Sequence, residues 1–141
     1  MKAERARLVR LQRLERVRAI AKQTAASEAA QAQGTLAQLE ALADRTYRMA
    51  EDYAARGEVT DGASLRHLGS FTDGLRGIAQ NATSDAARAR NIADSKFNAL
   101  GIAERRRAAV EDRAVKQRQT IAKRGYEPVS GSRKGFGTDL D

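Results

Sequence analysis

The side chains of this sequence best suited to chemistry are arginines, and they gather in two places far apart along the chain. Residues 1–22 hold eight basic and two acidic side chains, and residues 103–124 hold eight basic and three acidic ones. A guanidinium group binds carboxylates and phosphates through a rigid fork of N–H donors, so both clusters indicate contact with an acidic partner. The candidate partner-binding residues are Arg10, Arg13, Arg16, Arg18, Arg105, Arg106, Arg107, Arg113 and Arg118.

Residues that carry out acid–base or covalent catalysis are scarce. The chain has no cysteine, and His67 is its single histidine. Acidic pairs such as Glu51–Asp52 are adjacent in sequence, which places them on different sides of a helix. The glycines between 69 and 77 do not form a phosphate-binding loop. We therefore expect a protein that is not an enzyme, with no catalytic, cofactor-binding or metal-binding residues.

Composition and periodicity predict long helices. Ala, Glu, Lys, Leu and Arg make up about half of the 141 residues, which is typical of long helices and coiled coils. The first predicted helix covers about residues 2–56, without proline and with Gly34 as its only glycine. Its predicted heptad seam is Leu11, Leu14, Arg18, Ala21, Ala25, Glu28, Ala32, Thr35, Leu39, Leu42, Thr46, Met49 and Tyr53.

The second predicted helix covers about residues 61–124 and is expected to be least regular near its three closely spaced glycines, Gly69, Gly74 and Gly77. Its apolar stripe has the same three- and four-residue spacing as a heptad seam. The predicted positions are Leu65, Leu68, Phe71, Leu75, Ile78, Ala82, Ala86, Ala89, Ala93, Phe97, Leu100, Ala103, Arg107, Val110, Ala114, Gln117 and Ile121.

The segment between the two helices predicts a turn at residues 57–60. Gly57 can take the left-handed conformation that ends a helix, and Thr60 or Asp61 can cap the next one. A connection this short favours an antiparallel return. Gly125 is expected to end the second helix, and residues 125–141 lack periodicity and read as a flexible tail. The expected fold class is all-α: a long antiparallel two-helix coiled-coil hairpin with a disordered C-terminal tail.

An antiparallel hairpin would bring the two basic segments together, and a concentrated positive potential attracts acidic partners. No stretch approaches the roughly 18 apolar residues of a membrane span, and no secretory signal is visible. We expect a cytoplasmic protein, with peripheral association at the inner face of the cell membrane as an open alternative.

Three stretches together resemble the FliJ/YscO family, small proteins of the flagellar and injectisome type III export apparatus. They are LVRLQRLERVRAIAKQTAA, SLRHLGSFTDGLRGIAQ and KFNALGIAERRRAAVEDRAVKQRQTIAKR, and the resemblance covers about residues 1–124. It lies in pattern, length and charge. The chain departs from the family near the second basic cluster, where Gln119, Thr120 and Ala122 occupy turns expected to carry carboxylates.

The resemblance implies a non-enzymatic stalk of the flagellar type III export apparatus. Such a stalk inserts into the ring of the export ATPase, contacts the membrane export gate and assists export chaperones. The arginines of both clusters would then form the contact with the ATPase. Two other classes stay open: a basic coiled coil that binds nucleic acid through its phosphates, and a generic coiled-coil scaffold.

Overall fold

The computed structural model describes residues 1–56 and 61–126, and nearly all of them lie in two α-helices. Helix α1 spans Lys2–Ala55 and helix α2 spans Gly62–Tyr126. The helices run antiparallel, and cross-helix contacts extend from Tyr53 against Phe71 at one end to Glu4 against Arg124 at the other. The described residues contain no strand. The predicted all-α helical hairpin is therefore confirmed.

The C-terminal end of α2 differs from the prediction. The helix continues through Gly125 to Tyr126, so Gly125 does not end it. Gly125 does not adopt positive φ, the conformation of a glycine cap, and a helical glycine costs only about 1 kcal/mol relative to alanine. The predicted turn at 57–60, with Gly57 and Thr60, and the remainder of the predicted tail at 127–141 lie outside the described residues.

Asp61, one of the two residues predicted to cap α2, makes a capping hydrogen bond at the start of this helix. Its carboxylate Oδ1 accepts a hydrogen bond from the backbone N–H of Ser64 at 2.7 Å. This bond satisfies one of the amide groups left free in the first turn of a helix. This backbone hydrogen bond has the largest effect on the carboxyl group, followed by one from the Ser64 side chain, and together they hold the pKa of Asp61 below its usual range.

The seam of α2 is one unbroken heptad series, and every buried residue of the helix belongs to it. The predicted positions from Leu100 to Ile121 are confirmed, with Val110, Ala114 and Gln117 buried. The full series is Leu68, Thr72, Leu75, Ala79, Ala82, Ala86, Ala89, Ala93, Lys96, Leu100, Ala103, Arg107, Val110, Ala114, Gln117 and Ile121.

In the half of α2 nearer the connection, the prediction placed the largest apolar residues on the seam, and this was wrong. Thr72 and Ala79 are buried, whereas their predicted neighbours Phe71 and Ile78 are exposed. Leu65 and Phe97, also predicted on the seam, are exposed as well. The physical reason is the size of the seam residues, because a row of alanines lets two helices approach closely and excludes large side chains to its flanks.

Counted from Leu11, successive seam residues of α1 lie four and then three positions apart, whereas the prediction placed them three and then four positions apart. The alternate positions Leu11, Arg18, Ala25, Ala32, Leu39, Thr46 and Tyr53 agree with the prediction and are buried or half-buried. The intervening predicted positions are wrong by one residue. Leu14, Ala21, Glu28, Thr35, Leu42 and Met49 are exposed, and the seam instead contains Glu15, Lys22, Ala29, Leu36, Ala43 and Ala50, with Glu4 and Leu8 extending it toward the N-terminus.

The core along this seam is made mainly of small side chains. Among the residues that the structure describes, eight of the eleven buried hydrophobic ones are alanines. A buried cluster places Leu36 with Ala86, Ala89 and Ala93, and the partly buried Ala32 and Leu39 pack against it. Since hydrophobic stabilisation scales with buried area, at roughly 25 cal/mol per Å², each layer of this seam contributes little alone.

The glycines of α2 do not disturb the helix, which contradicts the expectation of an irregular segment. Gly69, Gly74 and Gly77 all lie inside continuous α-helix. A Cβ atom built on any of the three would meet no other atom within 4 Å. No close backbone approach therefore requires glycine at these positions.

Replacing Gly74 by alanine should consequently stabilise the protein. We expect Gly74→Ala to raise the free energy of unfolding by about 1 kcal/mol, because alanine loses less backbone entropy on forming a helix. Thermal and urea unfolding followed by circular dichroism measure the change. An unchanged or lower stability would contradict the open environment of this residue.

The position of the seam in α2 is tested by two valines five residues apart. Val110 is 4% exposed and Val115 is 40% exposed. We expect Val110→Asp to cost several kcal/mol, because it buries an unpaired carboxylate in the helix interface. Val115→Asp should cost no more than about 1 kcal/mol, the scale of an exposed substitution with poorer helix propensity. Equal losses in urea unfolding would show that the seam lies elsewhere.

Candidate partner-binding surface at the basic end

The two arginine-rich segments lie side by side at one end of the hairpin. We call this the basic end and define it as residues 2–22 of α1 with 103–124 of α2. Lys22 Nζ lies 2.8 Å from the Glu104 carboxylate, and Gln117 Nε2 donates a hydrogen bond to the backbone carbonyl of Glu4 at 3.2 Å. The antiparallel register thus joins clusters that are about 100 residues apart in sequence.

Every glutamate of the basic end is held in an ion pair. Two of these residues, Glu104 and Glu111, bind the guanidinium of Arg107 at 2.8 and 2.7 Å. The ion pairs across the two helices are Glu104 with Lys22, Glu15 with Arg118 and Glu4 with Arg124. The glutamates are therefore occupied inside the hairpin, and the remaining cations carry the excess charge.

Glu104 lies at the centre of this network. It accepts hydrogen bonds from Arg107 and contacts Lys22, and these bonds, those from Arg107 first, lower its pKa from the ordinary 4.5 to about 2. The same carboxylate and Glu111 hold the pKa of Arg107 well above its usual value. Lys22 pairs with Glu104, and Arg18 and Arg107 lie one turn farther toward the basic tip of the hairpin, so these two seam arginines lie at about the same level.

The structure divides the nine candidate arginines into three groups. Arg18 and Arg107 are half-buried on the seam, where Arg107 is neutralised by carboxylates. Arg118 is exposed and lies 3.9 Å from Glu15. The remaining six are exposed and form no ion pair with any residue in 1–56 or 61–126: Arg10, Arg13, Arg16, Arg105, Arg106 and Arg113.

Two rows of residues flank the seam, and they lie on opposite sides of the hairpin. Glu40 and Arg90, 2.6 Å apart, mark one side, and Tyr53 against Phe71 marks the other. Flank A consists of Arg7, Leu14, Ala21, Glu28, Thr35, Leu42 and Met49 with Phe71, Ile78, Asp85, Ile92, Ala99, Arg106, Arg113 and Thr120. Flank B consists of Arg5, Gln12, Ala19, Ala26, Gln33, Glu40, Tyr47 and Ala54 with Gly69, Arg76, Thr83, Arg90, Phe97, Glu104, Glu111 and Arg118.

The free cations are distributed unevenly between these flanks. Flank B contains Glu104 and Glu111, so much of its charge is neutralised within the hairpin. At the basic end, flank A presents Arg7, Arg106 and Arg113, which form no ion pair among the described residues. Arg7 was not among the sequence candidates. The sequence alone does not identify Arg7, because only the register between the two helices places it on the same side as Arg106 and Arg113.

Comparison of the chain with protein-family models, curated proteins and solved structures gives no significant match. Neither α1 nor α2, the two helices that the structure describes, contains a segment apolar enough to cross a membrane. Within residues 1–56 and 61–126, no three His, Cys, Asp or Glu side chains come together as a metal-binding group. The feature that these residues do offer is a rod with one strongly cationic end.

The ion-pair network predicts a defined acid sensitivity. Because the folded-state pKa of Glu104 is about 2 against an ordinary 4.5, its contribution to stability is present above pH 4.5 and is lost as the pH falls through about 2. We expect Glu104→Gln to be less stable than the unmodified chain at pH 7 and to lose less stability between pH 5 and pH 2.

Thermal unfolding at a series of pH values measures this difference. Glu51→Gln serves as the control, because Glu51 is exposed and forms no ion pair with any residue that the structure describes. Its pH profile should match that of the unmodified chain. A Glu104→Gln profile parallel to the unmodified one would mean that the network contributes no stability.

Proposed function

We propose that this protein is a non-enzymatic coiled-coil stalk of a flagellar type III protein export apparatus, and that its basic end contacts the ring of the export ATPase. In this role it would also contact the membrane export gate and assist export chaperones. It would work in the cytoplasm, peripherally at the inner face of the cell membrane. The observation that carries the proposal is the concentration, at one end of a narrow helical rod, of cations that form no ion pair within residues 1–56 and 61–126.

The dimensions of the hairpin support a stalk. At 1.5 Å per residue, the 65 residues of α2 extend about 100 Å, while two adjacent helices are only about 20 Å wide. A rod of this shape can reach into a ring or bridge two bodies.

The charge distribution supports contact with an acidic protein surface. Residues 1–22 carry a net charge of +6 and residues 103–124 carry +5, while residues 23–102 carry −2. Because positive charge is confined to one end, long-range attraction would orient the rod with that end toward an acidic partner. A uniformly basic coil, such as one that neutralises phosphates along a duplex, would spread its cations over the whole length.

The proposal is tested by reversing two charges on flank A of the basic end. We expect Arg106→Glu combined with Arg113→Glu to weaken binding to the purified hexameric export ATPase at least about tenfold, equivalent to about 1.4 kcal/mol. Both arginines are exposed and outside the ion-pair network, so the hairpin should stay folded. Surface plasmon resonance at several salt concentrations measures affinity and association rate.

The matched control makes the same change in charge at the other end of the rod. Arg45 and Arg66 are exposed and form no ion pair among the described residues, so Arg45→Glu with Arg66→Glu should retain binding. Equal losses in the two double variants would indicate non-specific attraction and contradict the stalk contact. If no chain binds the ATPase but all bind duplex DNA with steep salt dependence, the nucleic-acid function replaces the proposed one.

A further inference from the structure

Large apolar side chains lie outside the core, in a row along the half of flank A away from the basic end. The chain leaves these residues between 37% and 56% exposed while burying alanines beside them. The row, which we call the apolar strip, consists of Leu42, Met49, Phe71, Ile78 and Ile92. Flank B has only Tyr47 and Phe97 as comparably large exposed apolar residues.

The area of the strip is that of an interaction surface. A large apolar side chain covers roughly 150–250 Å², so the exposed fractions sum to about 400 Å² per chain. Asp85, paired with Arg88, is the charged residue within this row. An apolar area of a few hundred Å² is the size of the largest patch on a typical monomer, and such patches often have a binding function. Two such strips in contact would bury about 800 Å², and with their polar rims they would approach the 1,200 Å² or more of a specific interface.

We propose that the apolar strip binds the same strip of a second copy of this chain, forming an antiparallel four-helix dimer. The hairpin has a thin, alanine-rich core, and this pairing would add the large side chains that its own seam excludes. The proposal concerns a different surface from the basic end and does not depend on the proposed function.

The charge distribution selects the antiparallel arrangement. The strip lies in the half of the rod whose residues are close to neutral, while the net charges of +6 and +5 lie at the far end. An antiparallel pair places the two basic ends at opposite extremes of the dimer. A parallel pair would hold them side by side, where like charges repel.

The spacing of the strip is self-complementary in this arrangement. A two-fold axis crossing the rod between Leu42 and Met49 places α1 over the α1 of the second copy and α2 over its α2. Leu42 then lies opposite the partner's Met49, and Ile92 lies opposite the partner's Phe71. Ile78 lies opposite the partner's Asp85, whose carboxylate pairs with Arg88 of its own helix. Apolar residues therefore meet at both ends of the strip and on α1 beside the axis, with Asp85 as the one charged residue between them.

Sedimentation equilibrium of the full chain between about 10 and 200 μM tests the dimer. We expect a monomer–dimer equilibrium whose dissociation constant rises at least about tenfold in Leu42→Glu with Ile78→Glu. The control Tyr47→Glu with Phe97→Glu adds the same charges to exposed positions of flank B and should leave the equilibrium unchanged. Circular dichroism confirms that each variant remains helical.

Cysteine cross-linking tests the orientation, and the native chain has no cysteine to interfere. Asn81 is exposed and lies one turn from Ile78, near the proposed two-fold axis, so Asn81→Cys should form a disulfide-linked dimer on mild oxidation. Arg7→Cys, on the same flank but at the basic end, should not. A purely monomeric chain, dissociation by the flank B variant alone, or equal cross-linking at both positions would overturn the proposal.

Discussion

A single helix–helix seam, built mostly of alanine, holds the described part of this protein together. Within residues 1–56 and 61–126 no other layer packs against it, so the burial of both helices depends on this seam. Alanine contributes little buried area per layer, and stability must accumulate over many layers. The length of the helices is therefore a requirement of the fold as well as a feature of its shape, because a short alanine-rich pair would not offset the entropy of ordering its residues.

The sequence predicted the two helices and their antiparallel return, because proline-free periodic segments and a short glycine-containing break determine that arrangement. It also predicted the seam from Leu100 to Ile121, where Val110 and Ala114 stand among charged residues. It failed where alanines and large apolar residues compete for one stripe. Hydrophobicity alone places Phe71 and Ile78 on the seam, but the close approach of the helices favours the smaller residues Thr72 and Ala79 there.

The candidate surface was predicted as a region and not residue by residue. Counting charges is sufficient to locate two basic segments, and the hairpin is sufficient to join them. The register between the helices determines which arginines are available to a partner. Arg107 is paired with Glu104 and Glu111, whereas Arg106 forms no ion pair among the described residues. A shift of one residue along a helix turns a cationic side chain from the seam toward solvent. The number of charges in a segment does not distinguish these two positions.

The network around Glu104 explains how the basic end can exist within a helix pair. Two seam arginines at one level would repel each other, yet Arg107 is surrounded by two carboxylates and Lys22 shares one of them. These internal pairs reduce the charge near the seam and on flank B. They leave uncompensated cations on the outward surfaces, where dissolved salt at about 0.1 M screens them over about 10 Å.

Flank A consequently carries two separate surfaces, cationic at one end of the rod and apolar toward the other. About 28 residues of α1 separate Leu14, at the level of Arg113, from Leu42 in the apolar strip, a distance of about 42 Å along the helix. This distance is several Debye lengths, so charge at one surface has little direct effect at the other. The proposed acidic partner and the proposed second copy would therefore not compete for the same surface, and the rod between them would set their spacing.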